Sequence, residues 1–173
     1  MDAAASILTP SSLTTRRLHG DDLEGAAAIV RGLPDYFTDD VPEKVEHDAT
    51  AHEAWVLAET DAVVGFAVVG FAVAERRSTA GAEILWMAVE STRRGAGAGT
   101  MLLDHVIDEL RAEGVAVVEV KTLDASVDYE PYEATRAFWE ARGFVQVDTI
   151  DPPPGWQPGN CAAVYVAALR PTR

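Results

Sequence analysis

The sequence predicts a single α/β domain, a mixed sheet of about seven strands flanked by helices. Three observations predict it. Apolar runs with strand character and helical patterns alternate in the order β-α-β-β-β-α-β-α-β-β. The apolar period changes from helix-like to strand-like from Glu53 onward. Three alternate glycines, Gly95, Gly97 and Gly99, sit where an apolar run, Ile84 to Val89, meets a helical pattern, Met101 to Arg111. At 173 residues, 48% apolar and 8% aromatic, the chain is long enough to bury a real core and has a globular composition.

Ser12 to Leu18 reads as a first strand. Asp21 is a candidate N-cap for a helix patterned on Leu23, Ala26, Ala27 and Val30, and Leu33-Pro34-Asp35 ends it. Tyr36 to Thr50 reads as a polar, acidic loop with room for a short helix. Glu53 to Glu59 and Ala62 to Ala74 read as two strands, with Thr60-Asp61 as the tight hairpin turn between them. Glu75 to Gly81 is a charged turn, and Ala82 to Val89 a further strand. After the glycine loop a helix runs to about Glu113, where Gly114 stops it. Val115 to Leu123 is a strand whose continuous apolar start, Val115 to Val118, predicts burial on both faces. The loop Asp124 to Pro131 leads into a helix, Tyr132 to Arg142, ended by Gly143. Phe144 to Ile150 and Cys161 to Leu169 are the last strands, joined by a stiff, proline-rich loop from Asp151 to Asn160. Residues 1–11 read as a flexible tail ahead of a domain spanning 12–173.

Composition narrows the function classes. No apolar run reaches membrane-span length, and the start of the chain lacks the basic and apolar regions of a signal peptide. The one cysteine, Cys161, excludes an internal disulfide and a multi-cysteine zinc site, and with the missing signal it points to the cytoplasm. Twenty-eight acidic and 14 basic residues give a net charge of −14, which argues against nucleic acid and anionic membrane partners. That balance suits a cationic small molecule, and equally a solvated surface.

Alternating glycines at a strand-to-helix junction let a backbone approach a ligand closely, and helix N-termini bind phosphates through free amides. An ordinary tight turn needs one glycine, so three exceed what packing requires. A nucleoside-triphosphate loop needs Gly-Lys-Ser/Thr, and no lysine is present here. A Rossmann fingerprint needs G-x-G-x-x-G near the start of its sheet; the spacing differs, and most of the strands precede this loop. A pyrophosphate pocket of another kind is left. Arg93 and Arg94 are local cations, and no acidic residue lies between Ser91 and Leu103.

The stretch from Glu83 to Val89, followed by Arg94-Gly95-Ala96-Gly97-Ala98-Gly99-Thr100, resembles motif A of the GNAT superfamily of N-acetyltransferases. That motif is Arg/Gln-x-x-Gly-x-Gly/Ala after the fourth strand, and Arg94, Gly97 and Gly99 match it. Ala137 to Phe144 resembles motif B, a helix ending in Gly-Phe, and the element order agrees over roughly residues 12 to 169. The resemblance implies a mostly antiparallel sheet whose fourth and fifth strands splay apart around acetyl-CoA, used as co-substrate without a metal. It implies that Met87 and Val89, with Ala88 between them, meet the pantetheine and acetyl groups through their backbone. The amides of Arg94, Gly95, Ala96, Gly97, Ala98, Gly99 and Thr100 would hold the pyrophosphate.

The implied activity is transfer of an acetyl group to a primary amine by direct attack. An alkylamine with a pKa of about 10.4 must lose a proton first, whereas the leaving thiol, with a pKa of about 8.5, departs readily, so a general base matters more than an acid. Glu83, at the start of the fourth strand, is the candidate base, and a solvated strand-start glutamate is the alternative. On ideal alternation it shares a face with Leu85, Met87 and Val89, and a bulge, usual in the family, would change that phase. Many members place a tyrosine acid where this chain has Trp139, which has no readily titratable proton and is left as a wall of the pantetheine tunnel. Tyr132, ahead of Tyr129, is then the candidate acid, against the reading of both as boundary tyrosines.

The resemblance implies acceptor contacts from Leu33 to Thr50 and from Asp151 to Asn160, which here carry Tyr36, Phe37, Asp39, Asp40 and Trp156. Aromatic walls with carboxylates suit a small cationic amine. His47 and His52 around Asp48 read as a solvated loop rather than a metal site. His105 reads as a boundary histidine, and Cys161 as buried and inert. A protein N-terminal acetyltransferase and a non-catalytic acyl-CoA-binding module are the competing functions. Many relatives dimerise, so a homodimer is a further expectation.

Overall fold

The computed structural model describes residues 12–61 and 65–169; the expected tail, residues 1–11, lies outside them. Eleven elements follow in order: β1 (Ser12–Arg17), α1 (Leu23–Arg31), α2 (Val41–Ala51), β2 (Glu53–Asp61), β3 (Gly65–Arg76), β4 (Gly81–Val89), α3 (Ala98–Ala112), β5 (Val117–Leu123), α4 (Pro131–Ala141), β6 (Val145–Ile150) and β7 (Ala162–Ala168). The sheet has the order β1-β2-β3-β4-β5-β7-β6. Every neighbouring pair is antiparallel except β4 and β5. No helix among the described residues is long and apolar enough to cross a membrane.

Two cores cover the two faces of this sheet. On one, Leu102, Leu103, Val106 and Leu110 of α3 and Trp139 of α4 pack on Trp55, Ile84 and Val118. On the other, Ala26 and Val30 of α1 and Val41 and Val45 of α2 pack on Val56, Phe71 and Val73. Burying both faces of a central sheet is what holds a layered α/β domain together.

Several boundaries differ from the sequence reading. The region read as an acidic loop forms α2, an 11-residue helix. Its apolar stripe is only Val41, Val45 and Ala49, spaced at four-residue intervals and buried against the sheet. Thr60 and Asp61 belong to β2, paired with Phe66 and Gly65, rather than to a turn; residues 62–64, between β2 and β3, lie outside the described residues. Asp22, not Asp21, does the anchoring before α1: it accepts from the His19 amide at 2.8 Å and from Arg16 at 2.6 and 2.9 Å. Val117 is 44% exposed, so the start of β5 is not buried on both faces. Cys161 is half-buried rather than buried.

Two irregularities of β4 position the site. It pairs with β5 only from Gly81 to Ile84, opposite Val117 to Val120, and the strands then part. Against β3, Val73 pairs with Trp86 and Ala74 with Ile84, so Leu85 is an extra residue, a β-bulge.

Asp124, just after β5, gathers the far end of the sheet. It accepts from the Ser126 amide at 2.9 Å, Gln146 Nε2 at 2.8 Å and Thr149 Oγ1 at 3.1 Å. These donors, Ser126 first, hold its carboxyl down at about 2. A carboxyl lowered on folding stabilises above its ordinary range and loses that contribution as pH falls through the lowered value. Asp124→Asn is therefore expected to lose about 1–2 kcal/mol at neutral pH. The gap from wild type should close as pH falls from the ordinary 3.8 towards 2. Denaturant unfolding at a series of pH values checks both.

Candidate active site

Between β4 and α3 the chain makes a 3₁₀ turn, Ser91–Arg93, and then the glycine loop. The three glycines have different reasons. Gly95 and Gly97 have φ of +78° and +83°, a left-handed conformation that costs other L-residues about 1–2 kcal/mol. Gly99 has an ordinary φ, but an added Cβ would lie 3.4 Å from the ring of Phe138, so it lets α3 approach α4. Gly97 precedes α3 with no side-chain cap. Among the described residues, the six successive amides of Gly95, Ala96, Gly97, Ala98, Gly99 and Thr100 find no backbone acceptor outside the helix, and the first turn of a helix offers none. An anion is the natural partner for such a cradle.

Its cations sort themselves clearly. Arg93 turns away to an ion pair with Glu59. Arg94 has no carboxylate partner among the described residues; it reaches the Val89 carbonyl at 3.4 Å and lies 4.7 Å above the ring of Tyr36. Arg142, which sequence reasoning missed, donates to the Thr100 hydroxyl and so faces the same loop. Its position beside Gly143-Phe144 was the only available signal.

A cavity of about 1380 Å³ runs from this loop along the parted strands. Met87, Ala88 and Val89 line it, and their edge on the β5 side has no strand partner among the described residues. Trp139 contributes to the wall but is 5% exposed, packed edge-on against Phe138 and Phe144 at 5.2 and 5.1 Å. It serves the core and the cavity at once.

Glu83 lines the same cavity. It is 6% exposed and stands in a row of three carboxylates across the sheet, paired with Glu75 on β3 and Glu119 on β5. Like charges directly opposite in a sheet repel. Two cations hold the row together. Arg77 binds Glu75 at 3.1 Å and Glu83 at 2.9 Å, and Lys121 binds Glu83 at 2.7 Å and also Glu119. Burial pulls the Lys121 ammonium down, but Glu119 and Glu83 overcome it and leave its pKa above the ordinary lysine value. The bulge at Leu85 changes the expected phase. Ile84, Met87 and Val89 belong to the α3 side, whereas Leu85, Trp86 and Ala88 belong to the α1–α2 side. Alternation from Ile84 puts Glu83 with the second group.

Three tyrosines join the α1–α2 connection to the start of α4. Tyr132 donates to the Tyr36 carbonyl at 2.8 Å, Tyr129 to the Asp35 carbonyl at 2.9 Å, and Tyr36 to the Pro131 carbonyl at 3.2 Å. Burial, with Tyr129 and Tyr36 nearby, pushes the Tyr132 hydroxyl up to about 12. Beyond them the cavity is walled by Phe37, Trp86, Trp156 and Pro153, with Asp40 and Asp48 on α2 and its approach. Asp40 is taken by Lys44 at 2.6 Å, and Asp39 is exposed outside the lining. Asp48 accepts from the Trp86 indole at 2.6 Å. His47 lies on α2 and His52 caps its end, rather than sitting in a loop; no group of three metal-ligating side chains occurs among the described residues. His105, half-buried on α3, lies 3.0 Å from Glu109.

The sequence pattern of the Acetyltransferase (GNAT) family matches residues 23–144. No protein of curated function matches the sequence. Among solved structures, the ribosomal-protein-S18-alanine N-acetyltransferase from Escherichia coli superposes with a TM-score of 0.72 at 20% identity, covering 94% of this chain and 97% of that one. The aminoglycoside 6'-N-acetyltransferase from Enterococcus faecium gives 0.66 at 20% identity, over 92% and 99%. A GNAT family acetyltransferase from Elizabethkingia anophelis with acetyl-CoA bound gives 0.65 at 17% identity, over 91% and 98%. At these identities the likeness establishes the fold.

The separate roles of the glycines are testable. Gly97→Ala should lose about 1–2 kcal/mol, a fall in Tm of roughly 2–8 °C for a chain of this size. Gly99→Ala meets only a ring edge and gains helix propensity, so its Tm should stay within about 2 °C of wild type. Calorimetry of the two variants checks the contrast.

Proposed function

The chain belongs to the GNAT family of acetyltransferases, and on that premise we propose that it acetylates the primary amine of a small, cationic acceptor by direct attack. The acetyl group comes from acetyl-CoA, the co-substrate of this acyl-CoA-dependent family. One observation carries the reading: a single cavity joins the free amides of the glycine loop to a buried carboxylate, Glu83.

Acetyl-CoA supplies an activated thioester, and the loop fits its diphosphate, with free amides backed by Arg94 and Arg142. The unpaired edge of Met87 to Val89 is available to the amide groups of the pantetheine arm. Glu83 is the base in this proposal. A carboxylate has roughly four lone-pair sites. Arg77 occupies Oε2 with two donors and Lys121 one site on Oε1, so one direction on Oε1 remains for the acceptor ammonium or a bridging water. The amine gives its proton to Glu83, its nitrogen bonds to the acetyl carbon, and the sulfur leaves with the electron pair of the broken bond. Trp139 takes no proton part and serves as a wall.

Tyr132 is assigned a positioning role rather than that of the acid. Its hydroxyl is committed to the Tyr36 carbonyl and its pKa is near 12. Transfer to a thiolate with a pKa of about 8.5 is then uphill by roughly 5 kcal/mol, so the thiolate departs unprotonated. The Asp151 to Asn160 loop and the α1–α2 connection both wall the acceptor side, which favours a small acceptor over a peptide end.

Thiol release from acetyl-CoA, measured alone and with a panel of amines and peptides, tests the function. Turnover with small amines supports it. Turnover with peptides only points to a protein N-terminal acetyltransferase, and binding without turnover points to a regulatory module. Glu83→Gln should lower kcat by about 100-fold or more. Tyr132→Phe should lower kcat by less than about threefold, since no proton passes through it. Steady-state rates at saturating acetyl-CoA check the pair.

A further inference from the structure

Among the described residues, the acceptor side holds one half-buried carboxylate that no cation pairs with; Asp35 and Asp128, which also line the cavity without an ion pair, are exposed. Asp48, on α2, is half-buried and lines the cavity. Oδ2 accepts from the Trp86 indole at 2.6 Å; Oδ1 has no donor among the described residues. The neighbouring cations are already engaged: Lys44 with Asp40, Arg77 with Glu75 and Glu83, Lys121 with Glu83 and Glu119. An indole N–H needs only a neutral acceptor. A half-buried anion in that place carries a desolvation cost that a cation would offset.

The surroundings suit an organic cation. Trp86 is turned to this side by the bulge at Leu85, and it meets Phe37 edge-on at 6.3 Å. Two aromatic rings beside a carboxylate form a site for an alkylammonium. Glu83 lies on the same side of β4, so roughly 7–10 Å of strand separates it from Trp86. At about 1.25 Å per bond along an extended chain, roughly five to seven methylenes between two nitrogens span that distance.

We propose that Asp48, Trp86 and Phe37 form a second-cation site, so that the preferred acceptor is a diamine: one nitrogen is acetylated beside Glu83 while the other stays an ammonium held at Asp48. This rests on the reading of the chain as an amine acetyltransferase. Asp48 is then a specificity determinant, remote from the reacting atoms.

The test compares a five-carbon diamine with the monoamine of the same length, using thiol release from acetyl-CoA. Wild type should favour the diamine in kcat/KM by about tenfold or more. Asp48→Asn keeps an oxygen for the indole but removes the charge. It should bring the ratio of diamine to monoamine kcat/KM close to one, chiefly through KM for the diamine. Phe37→Leu should reduce the ratio part of the way. A wild-type ratio near one, or a ratio that Asp48→Asn leaves unchanged, overturns the second-cation site while leaving amine acetylation standing. Turnover of neither amine, nor of any other amine in the panel, overturns the amine acetyltransferase reading itself and this site with it.

Discussion

β4 and β5 run side by side for only four residue pairs, and the site depends on the gap that opens after them. A parallel pair has slanted, slightly weaker hydrogen bonds than an antiparallel one, and here it is short as well. The pair is placed where side chains can hold it. Glu83 and Glu119 face each other one rung before the last, Ile84 with Val120. Without Lys121 across them, and Arg77 on the β3 side, three aligned carboxylates would force the strands apart earlier. The ion network therefore fixes where the cavity begins, and it fixes the orientation of the carboxylate proposed as base. The two hydrophobic cores allow the gap to exist, since α3 and α4 on one face and α1 and α2 on the other keep the sheet intact around it.

Charge is distributed unevenly enough to matter. A protein with a net charge of −14 repels a polyanionic ligand at long range. The glycine loop overcomes this locally. It has no acidic residue from Ser91 to Leu103, two arginines at its rim and a row of amides that need no counter-ion. The acceptor end keeps the acidic character of the whole. The two ends of one cavity thus have opposite electrostatic preferences, suited to two substrates that must meet in the middle.

How much of this was legible in the sequence follows from how local each feature is. The glycine loop, the helix stops at Gly114 and Gly143 and the seven strands are written in neighbouring residues, where conformation and period act over a few positions. α2 was obscured because three small apolar residues carry its buried face among charged ones. The hairpin turn was misplaced because Thr60-Asp61 has turn chemistry but is held in the ladder by Gly65 and Phe66. The phase of Glu83 could not be read at all. It depends on Leu85 being left unpaired by β3, a choice made by tertiary pairing rather than by local preference. The same holds for the partners of Glu83, from a turn and from β5, for Arg142 against Thr100, and for Asp48 against Trp86, contacts that join residues up to 42 positions apart.

The tyrosine contacts have a consequence for how this protein can change over evolutionary time. Tyr129 and Tyr132 grip the main-chain carbonyls of Asp35 and Tyr36, not their side chains. The wall is located by atoms that every amino acid possesses. Residue identity at exposed Asp35 is thereby released from structural duty, whereas Tyr36 also donates its own hydroxyl to the Pro131 carbonyl. Mutations at Asp35 can remodel which molecules are accepted while the backbone path, and the donor half of the site behind it, persist. A scaffold anchored in this manner can acquire new chemistry at its rim without having to rediscover its fold.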